Sequence, residues 1–286
     1  MDRAARYLSG LGWRVSAGDS VFSREQRFAG SDALRASELQ RFATDPGLDL
    51  AISARGGYGL SRLLDRFDYA AIAAARRPLV GYSDFTAFNL ALLARTGAIS
   101  FQGPSASDFG GQPEAGFTME HFFGALTQDR YTLRFAAGAQ TRAPATLDLR
   151  GRLWGGNLSM LCSLIGTPYL PRVRAGILFL EDVNEPFYRI ERLLLQLLHA
   201  GVWARQKAIV LGDFAPVPAM PNDNGYDLGS VVEALMARCD TPIVSGLPFG
   251  HGRQRVTLPV GASGRLRLAG GEVSLEFSGH PLLPRP

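Results

Sequence analysis

The sequence predicts an α/β protein: a doubly wound parallel sheet, then a second α/β unit that ends in an antiparallel ribbon. Three observations predict it. Through the first half, short apolar runs at 48–52, 79–80 and 99–101 alternate with helical stretches, the pattern of a parallel sheet covered by helices. In the second half a wholly apolar run at 177–180 precedes Ile190, Leu193, Leu194, Leu197 and Leu198, which share one face of a helix. Near the end, β-type runs at 256–258, 266–268 and 273–277 follow one another with no helix between them.

Taken in order, residues 1–10 read as a helix with Ala4, Ala5 and Leu8 on one side, followed by a short strand at 13–15. Gly10-Leu11-Gly12 has no strand before it and no third glycine in place, so it is no dinucleotide fingerprint. Ser31 is the expected cap of a helix over 32–43 that turns Leu34, Leu39 and Phe42 inward. The strand at 48–52 runs into Ala54-Arg55-Gly56-Gly57-Tyr58-Gly59, where the glycines call for a tight bend or a close approach. Ligands of open α/β sheets sit beyond the carboxyl ends of strands, which is where this loop falls; the plainer reading is a flexible turn.

A helix at 70–75, the strand at 79–80, a helix at 84–95 and the strand at 99–101 complete the first sheet. Residues 105–117, rich in glycine and small polar side chains, predict a mobile connection into a helix at 118–126. Residues 138–144 form the clearest boundary, giving an N-terminal domain over 1–135, a linker over 136–145 and a C-terminal domain over 146–286. There, a strand at 146–153 leads through a glycine turn, Trp154-Gly155-Gly156-Asn157, to a helix at 158–164. Strands at 177–180, 208–211 and 243–244 precede the ribbon.

Composition narrows the function. Of 286 residues 46% are hydrophobic, and no apolar run reaches the roughly 20 residues a membrane span needs, so no membrane association is expected. The opening Met1-Asp2-Arg3-Ala4-Ala5-Arg6 has no apolar signal segment, and a cytoplasmic location is expected. The net charge of +4 comes from arginines interleaved with acids, with Lys207 the only lysine, which argues for ion pairs over a nucleic-acid stripe. Cys162 and Cys239 form no C-x-x-C pair, and neither a zinc motif nor a P-loop is present, so neither metal nor cofactor is expected.

Chemistry concentrates at three places. In Gly81-Tyr82-Ser83-Asp84-Phe85-Thr86 the serine falls at a strand-to-helix turn, where a nucleophile is lifted out of a sheet and free N–H groups can hold an oxyanion; alternatively Ser83 only caps the helix. Such a serine needs a base, and the base a carboxylate. Among four histidines, His121 and His199 lie in helices and His280 near the C-terminus, whereas His251 sits between Gly250 and Gly252 after a strand, where its ring can be aimed, or serve structure. Glu181 ends the apolar run at 177–180, with Asp182 and Glu185 as alternatives for the carboxylate.

Together these stretches resemble the LD-carboxypeptidase family of serine peptidases, which includes the microcin C self-immunity proteins. The matching segments, in the family's order, are Arg55-Gly56-Gly57-Tyr58-Gly59, Gly81-Tyr82-Ser83-Asp84-Phe85-Thr86, Leu153-Trp154-Gly155-Gly156-Asn157-Leu158, Leu180-Glu181-Asp182-Val183-Asn184-Glu185 and Gly246-Leu247-Pro248-Phe249-Gly250-His251. The resemblance implies a triad of Ser83 as nucleophile, His251 as base and Glu181 as the residue orienting it. It implies an oxyanion hole from the N–H of Asp84 and one of Gly56 or Gly57, with Trp154 and Asn157 lining the peptide cleft and arginines holding substrate carboxylates. It also implies a flavodoxin-like N-terminal domain, and a homodimer as the common assembly. Members usually begin with a strand before the first helix, so the first strand of that sheet is expected to be missing here. The implied reaction releases the terminal D-alanine of a murein tetrapeptide at an L,D bond, in peptidoglycan recycling. The alternatives are an immunity-type amidase that opens peptidyl or aminoacyl nucleotides, and a muropeptide-binding protein without turnover.

Overall fold

The computed structural model of the chain describes residues 2–110, 115–215, 218 and 221–284. The first half runs α1 (Asp2–Gly10), α2 (Asp32–Thr44), β1 (Ala51–Ile52), α3 (Tyr69–Ala75), β2 (Leu79–Gly81), α4 (Thr86–Thr96), β3 (Ser100–Gln102), α5 (Ala115–Thr127) and β4 (Arg130–Ala136). The second runs β5 (Thr146–Asn157), α6 (Leu158–Ser163), β6 (Ile177–Val183), α7 (Phe187–His199), β7 (Ala208–Ala215), α8 (Leu228–Met236), β8 (Ile243–Ser245), β9 (Leu258–Val260), β10 (Ser263–Ala269) and β11 (Glu272–Ser278).

Local chemistry accounts for many of these boundaries. Ser31 Oγ accepts the N–H of Leu34 at 3.2 Å and starts α2, as its position predicts. Gly97, at φ +75°, ends α4 in the left-handed conformation that glycine adopts without strain. On α7, Ile190, Leu194 and Leu197 are buried while Arg192 and Gln196 face out, the predicted amphipathic pattern.

Two sheets form. The first has the order β1-β2-β3-β9, parallel except for antiparallel β9. The second has the order β4-β11-β10-β5-β6-β7-β8, antiparallel from β4 to β5 and parallel from β5 to β8. Helix α4 lies between them, with residues 86–93 all buried, and it touches α3 on one side and α6 and β5 on the other. No helix among the described residues is long and apolar enough to cross a membrane.

The sheets do not follow a division of the chain at residue 135. Strand β4, whose end contains that residue, pairs with β11 in the second sheet, while β9 returns to close the first. Residues 136–145 are bound and not a free linker: Ala137 N donates to Gly271 O, Gly138 N to Ser245 O, and Arg142 and Ile243 exchange both backbone bonds. Of the predicted connection at 105–117, residues 111–114 lie outside the described residues, and Ala106–Asp108 forms a 3-10 turn.

Two expectations are corrected, and two elements had none. No strand forms at 13–15: Trp13 stacks on Phe123 at 6.3 Å, and among the described residues no strand runs alongside to pair with Arg14 and Val15, which are exposed. Trp154-Gly155-Gly156-Asn157 is no turn but the end of twelve-residue β5. Its glycines mark close approaches instead, since a Cβ on Gly155 would overlap Phe179 O and one on Gly156 would sit 2.6 Å from Thr86 Oγ1. Finally, β4 and α8 went unpredicted although α8 opens on a capping box of Asp227 and Ser230.

Candidate active site

Ser83 stands at the end of β2, on the turn into α4, with φ at +60°. A non-glycine residue in this region costs roughly 1–3 kcal/mol and persists only when its surroundings hold it there. The surroundings are tight: a Cβ on Gly81 would fall 2.5 Å from Phe85 Cγ and 2.6 Å from Ser53 Oγ, so only glycine fits two residues before the serine. Ser83 caps nothing with its side chain, which rejects the capping reading. The glycine loop comes up against it, for a Cβ on Gly56 would meet Ser83 Cβ at 3.1 Å. Gly57, at φ +130°, faces open space. Among the described residues the N–H groups of Asp84, Gly56 and Gly57 make no hydrogen bond, so all three remain free for an anion.

The acidic end of β6 is built across two parallel strands. Asn157 ends β5 opposite Glu181 in register, and a bulge between Leu180 and Asp182 shifts β6 against β7 at this point. Asn157 Nδ2 donates to Glu181 Oε1 at 3.1 Å and to Asp182 Oδ1 at 3.0 Å, while its Oδ1 accepts from Met160 N and caps α6. Asp182 Oδ2 accepts from Ser159 N and Oγ, at 2.9 and 2.7 Å. Its bonds go to Asn157, to Ser159 of α6 and to Val183 of its own strand. Glu181 is completely buried, and its Oε2 is the atom that meets His251 Nδ1, at 2.7 Å. Glu185 pairs instead with Arg189, one turn on in α7.

His251 lies on the loop after β8 with a partly exposed ring. The loop is shaped by Gly250, at φ +143°, where a Cβ would press on Asp213 Cβ at 2.8 Å and Glu181 Cβ at 3.3 Å. The Tyr82 ring, next to Ser83, lies 5.1 Å from the imidazole. Buried Arg255 backs this contact: its guanidinium stacks on Tyr82 at 3.9 Å and binds Gly250 O and Asp108 Oδ2. The remaining histidines are structural or superficial. His121 meets Tyr131 OH, His280 meets Gln128 O, and His199 is exposed at the end of α7.

These contacts close a circuit. Thr86 Oγ1, three residues after the serine, accepts Asn157 N at 3.0 Å; Asn157 holds Glu181, Glu181 holds His251, and His251 packs on Tyr82, which precedes the serine. The imidazole held by Glu181 of the second sheet therefore packs against Tyr82, the residue before Ser83, at the end of β2 in the first. Ser83 Oγ makes no hydrogen bond among the described residues.

Two expected residues play other parts. Trp154 does not line a cleft: it is fully buried, with Nε1 donating to Gln206 Oε1 at 2.9 Å, because β5 points it into the core of the second sheet. Asn157 is also buried and serves Glu181, not the solvent side. Thr86, Tyr82 and Arg255 were not singled out by sequence reasoning, for each acts through a partner distant in the chain. Cys162 and Cys239 are free thiols outside the circuit, and no cluster of three or more His, Cys, Asp or Glu among the described residues could hold a metal ion.

Comparison with known proteins identifies the family of the chain. Residues 1–103 match the LD-carboxypeptidase N-terminal domain and residues 150–266 the LD-carboxypeptidase C-terminal domain. The chain is 32% identical over 271 residues to a murein tetrapeptide carboxypeptidase of Pseudomonas aeruginosa, covering 91% of this chain and 86% of that one. It is 28% identical to the microcin C7 self-immunity protein of Escherichia coli, covering 91% and 83%. The crystal structure of a muramoyltetrapeptide carboxypeptidase from Oxalobacter formigenes superposes with a TM-score of 0.90 at 40% identity, covering 98% of this chain and 95% of that one.

Proposed function

This chain belongs to the LD-carboxypeptidase family, whose members are serine peptidases, and from that premise we propose that it releases the terminal D-alanine of murein tetrapeptides with Ser83, His251 and Glu181 as its triad. The observation that carries the proposal is the 2.7 Å contact of His251 Nδ1 with buried Glu181, in a ring that rests on the neighbour of a serine held at positive φ. A carboxylate on Nδ1 keeps the proton there and leaves Nε2 free to accept one, the tautomer a general base requires.

The steps follow from the groups present. Ser83 Oγ attacks the carbonyl of the L,D bond as His251 Nε2 takes its proton, and Glu181 stabilises the imidazolium. The tetrahedral oxyanion is held by the N–H of Asp84 and one N–H of Gly56 or Gly57, donors of a kind that each contribute about 10²–10³ in kcat. His251 returns the proton to the departing D-alanine amine, and water hydrolyses the acyl-enzyme by the same route in reverse. The names of the Pseudomonas and Oxalobacter relatives support a murein tetrapeptide as substrate.

The test is D-alanine release from a purified murein tetrapeptide, beside an aminoacyl sulfamoyl nucleotide as competing substrate. Ser83→Ala abolishes release and Glu181→Gln lowers kcat by about 10⁴ through the wrong tautomer, with circular dichroism unchanged in both. Release that survives Ser83→Ala overturns the nucleophile. Turnover of the nucleotide alone moves this chain to the immunity branch.

A further inference from the structure

The geometry points to a second role for Asp84: its side chain is a positioning residue that clips the glycine loop at 56–59 to the turn carrying Ser83. The inference rests on the reading of Ser83 as nucleophile and of the two backbone segments as one oxyanion pocket. Asp84 is 8% exposed, and its Oδ2 accepts the N–H of Leu60 at 2.8 Å. The loop is thereby referred to the nucleophile's turn at both ends. Gly56 abuts Ser83 at one end, and Leu60 is fastened to Asp84 at the other.

Between those ends the chain has little to hold it. Gly57 and Gly59 sit at φ +130° and +150°, Gly57 touches nothing within 4 Å of a would-be Cβ, and Tyr58 is half exposed. The other restraints are Arg35, whose Nη1 donates to Gly59 O at 3.3 Å, and the ring of Phe28, 6.2 Å from that of Tyr58. Both belong to other parts of the chain, whereas the Asp84 carboxylate ties the loop directly to the turn that carries Ser83. A plain cap for the 3-10 turn at Leu60–Arg62 would be served as well by a neutral side chain. Here a carboxylate is buried instead, with Oδ1 lacking any partner.

A buried carboxylate titrates late, and this one does so in a useful range. Burial pushes the Asp84 carboxyl up to about 6, against the opposing pull of the Leu60 and Gly59 N–H groups and of the Arg35 charge. Arg35 is the charged group facing it, and is itself paired with Asp32, which Arg62 shares. Protonating Asp84 replaces a charged acceptor with a weaker neutral one, so the clip loosens as pH falls below about 6.

The experiment compares wild type, Asp84→Asn and Asp84→Ala by D-alanine release from pH 4.5 to 8.5, with the hydrogen-exchange protection of the Leu60 amide in the same samples. Asp84→Ala lowers kcat by about 10–100-fold at pH 8 with KM little changed, because the pocket acts on the transition state. Asp84→Asn keeps a neutral acceptor for Leu60 N–H, as protonated Asp84 does, and recovers only part of that loss. In wild type kcat therefore falls toward the Asp84→Asn level as pH drops below about 6, a step that Asp84→Asn lacks. Wild-type kcat in Asp84→Ala, or the same pH dependence in wild type and Asp84→Asn, overturns the inference. If wild type releases no D-alanine the functional reading has failed instead. The clip is then judged by exchange alone: faster Leu60 exchange in Asp84→Ala, and in wild type below pH 6, supports it, and unchanged exchange overturns it.

Discussion

Replacing Asn157 with aspartate tests the circuit at its centre. The substitution is nearly isosteric and retains the cap of α6, since aspartate caps as well as asparagine. What changes is the amide nitrogen that lies 3.1 Å from Glu181 Oε1 and 3.0 Å from Asp182 Oδ1, now a carboxylate oxygen facing two others. Two unit charges about 4 Å apart repel by about 4 kcal/mol at an effective dielectric of 20. The new group escapes by staying protonated, so its cost is limited to about 1.4 kcal/mol for each unit by which its pKa rises. A rise of two to three units gives about 3–4 kcal/mol at neutral pH, or about 6–16 °C in Tm for a chain of this size.

The sign follows from linkage. The new carboxyl titrates higher in the folded state than in the unfolded, so Asn157→Asp matches wild type near pH 4 and falls behind as pH rises through its folded value. Urea midpoints at pH 4.5, 6 and 7.5 measure this, and D-alanine release, expected to fall about 10²-fold at pH 7.5 as Glu181 is displaced, accompanies them. A variant with the wild-type midpoint at pH 7.5, or a deficit independent of pH, would refute the claim that the Asn157 amide supports these carboxylates.

Two further predictions concern residues on either side of the site. Trp154→Phe strips the partner from Gln206 Oε1 and costs about 1–3 kcal/mol in urea denaturation while kcat/KM stays within about twofold; a selective rise in KM would return the indole to the cleft. The raised Asp84 carboxyl contributes stability below its unfolded value near 3.8, and that contribution is lost as pH rises through about 6. Asp84→Asn lacks the effect, so it gains on wild type by up to about 3 kcal/mol between pH 4 and 7 in thermal melts, and a constant offset would show an ordinary carboxyl.

The fold was legible where pattern is local. Periodicity located α2, α4 and α7, and apolar runs located β2, β6 and β7, because burial of one face is written into adjacent residues. Strand β4 escaped notice because alternate positions carry Arg130, Thr132 and Arg134 outward and only Leu133 is fully buried. The fate of Trp154-Gly155-Gly156-Asn157 was hidden for a different reason. Glycine signals a constraint without saying which, and here the constraint is Thr86 and Phe179 pressing on a strand, not a bend.

Within the site, Ser83, Glu181 and His251 stood out because each ends a strand or sits between glycines. The supporting contacts of Thr86, Asn157 and Arg255 join residues 71, 24 and 147 positions apart, and separations of that kind leave no trace in a single sequence.

The return of β9 to the first sheet carries a consequence for synthesis. Strand β3 ends at Gln102, but its antiparallel neighbour begins at Leu258. At about 5–20 residues per second the ribosome needs roughly 8–30 s to deliver that missing edge, and the loop bearing His251 emerges only just before it. A nascent chain thus carries Ser83 long before His251, and the first sheet gains its last edge only as synthesis nears its end.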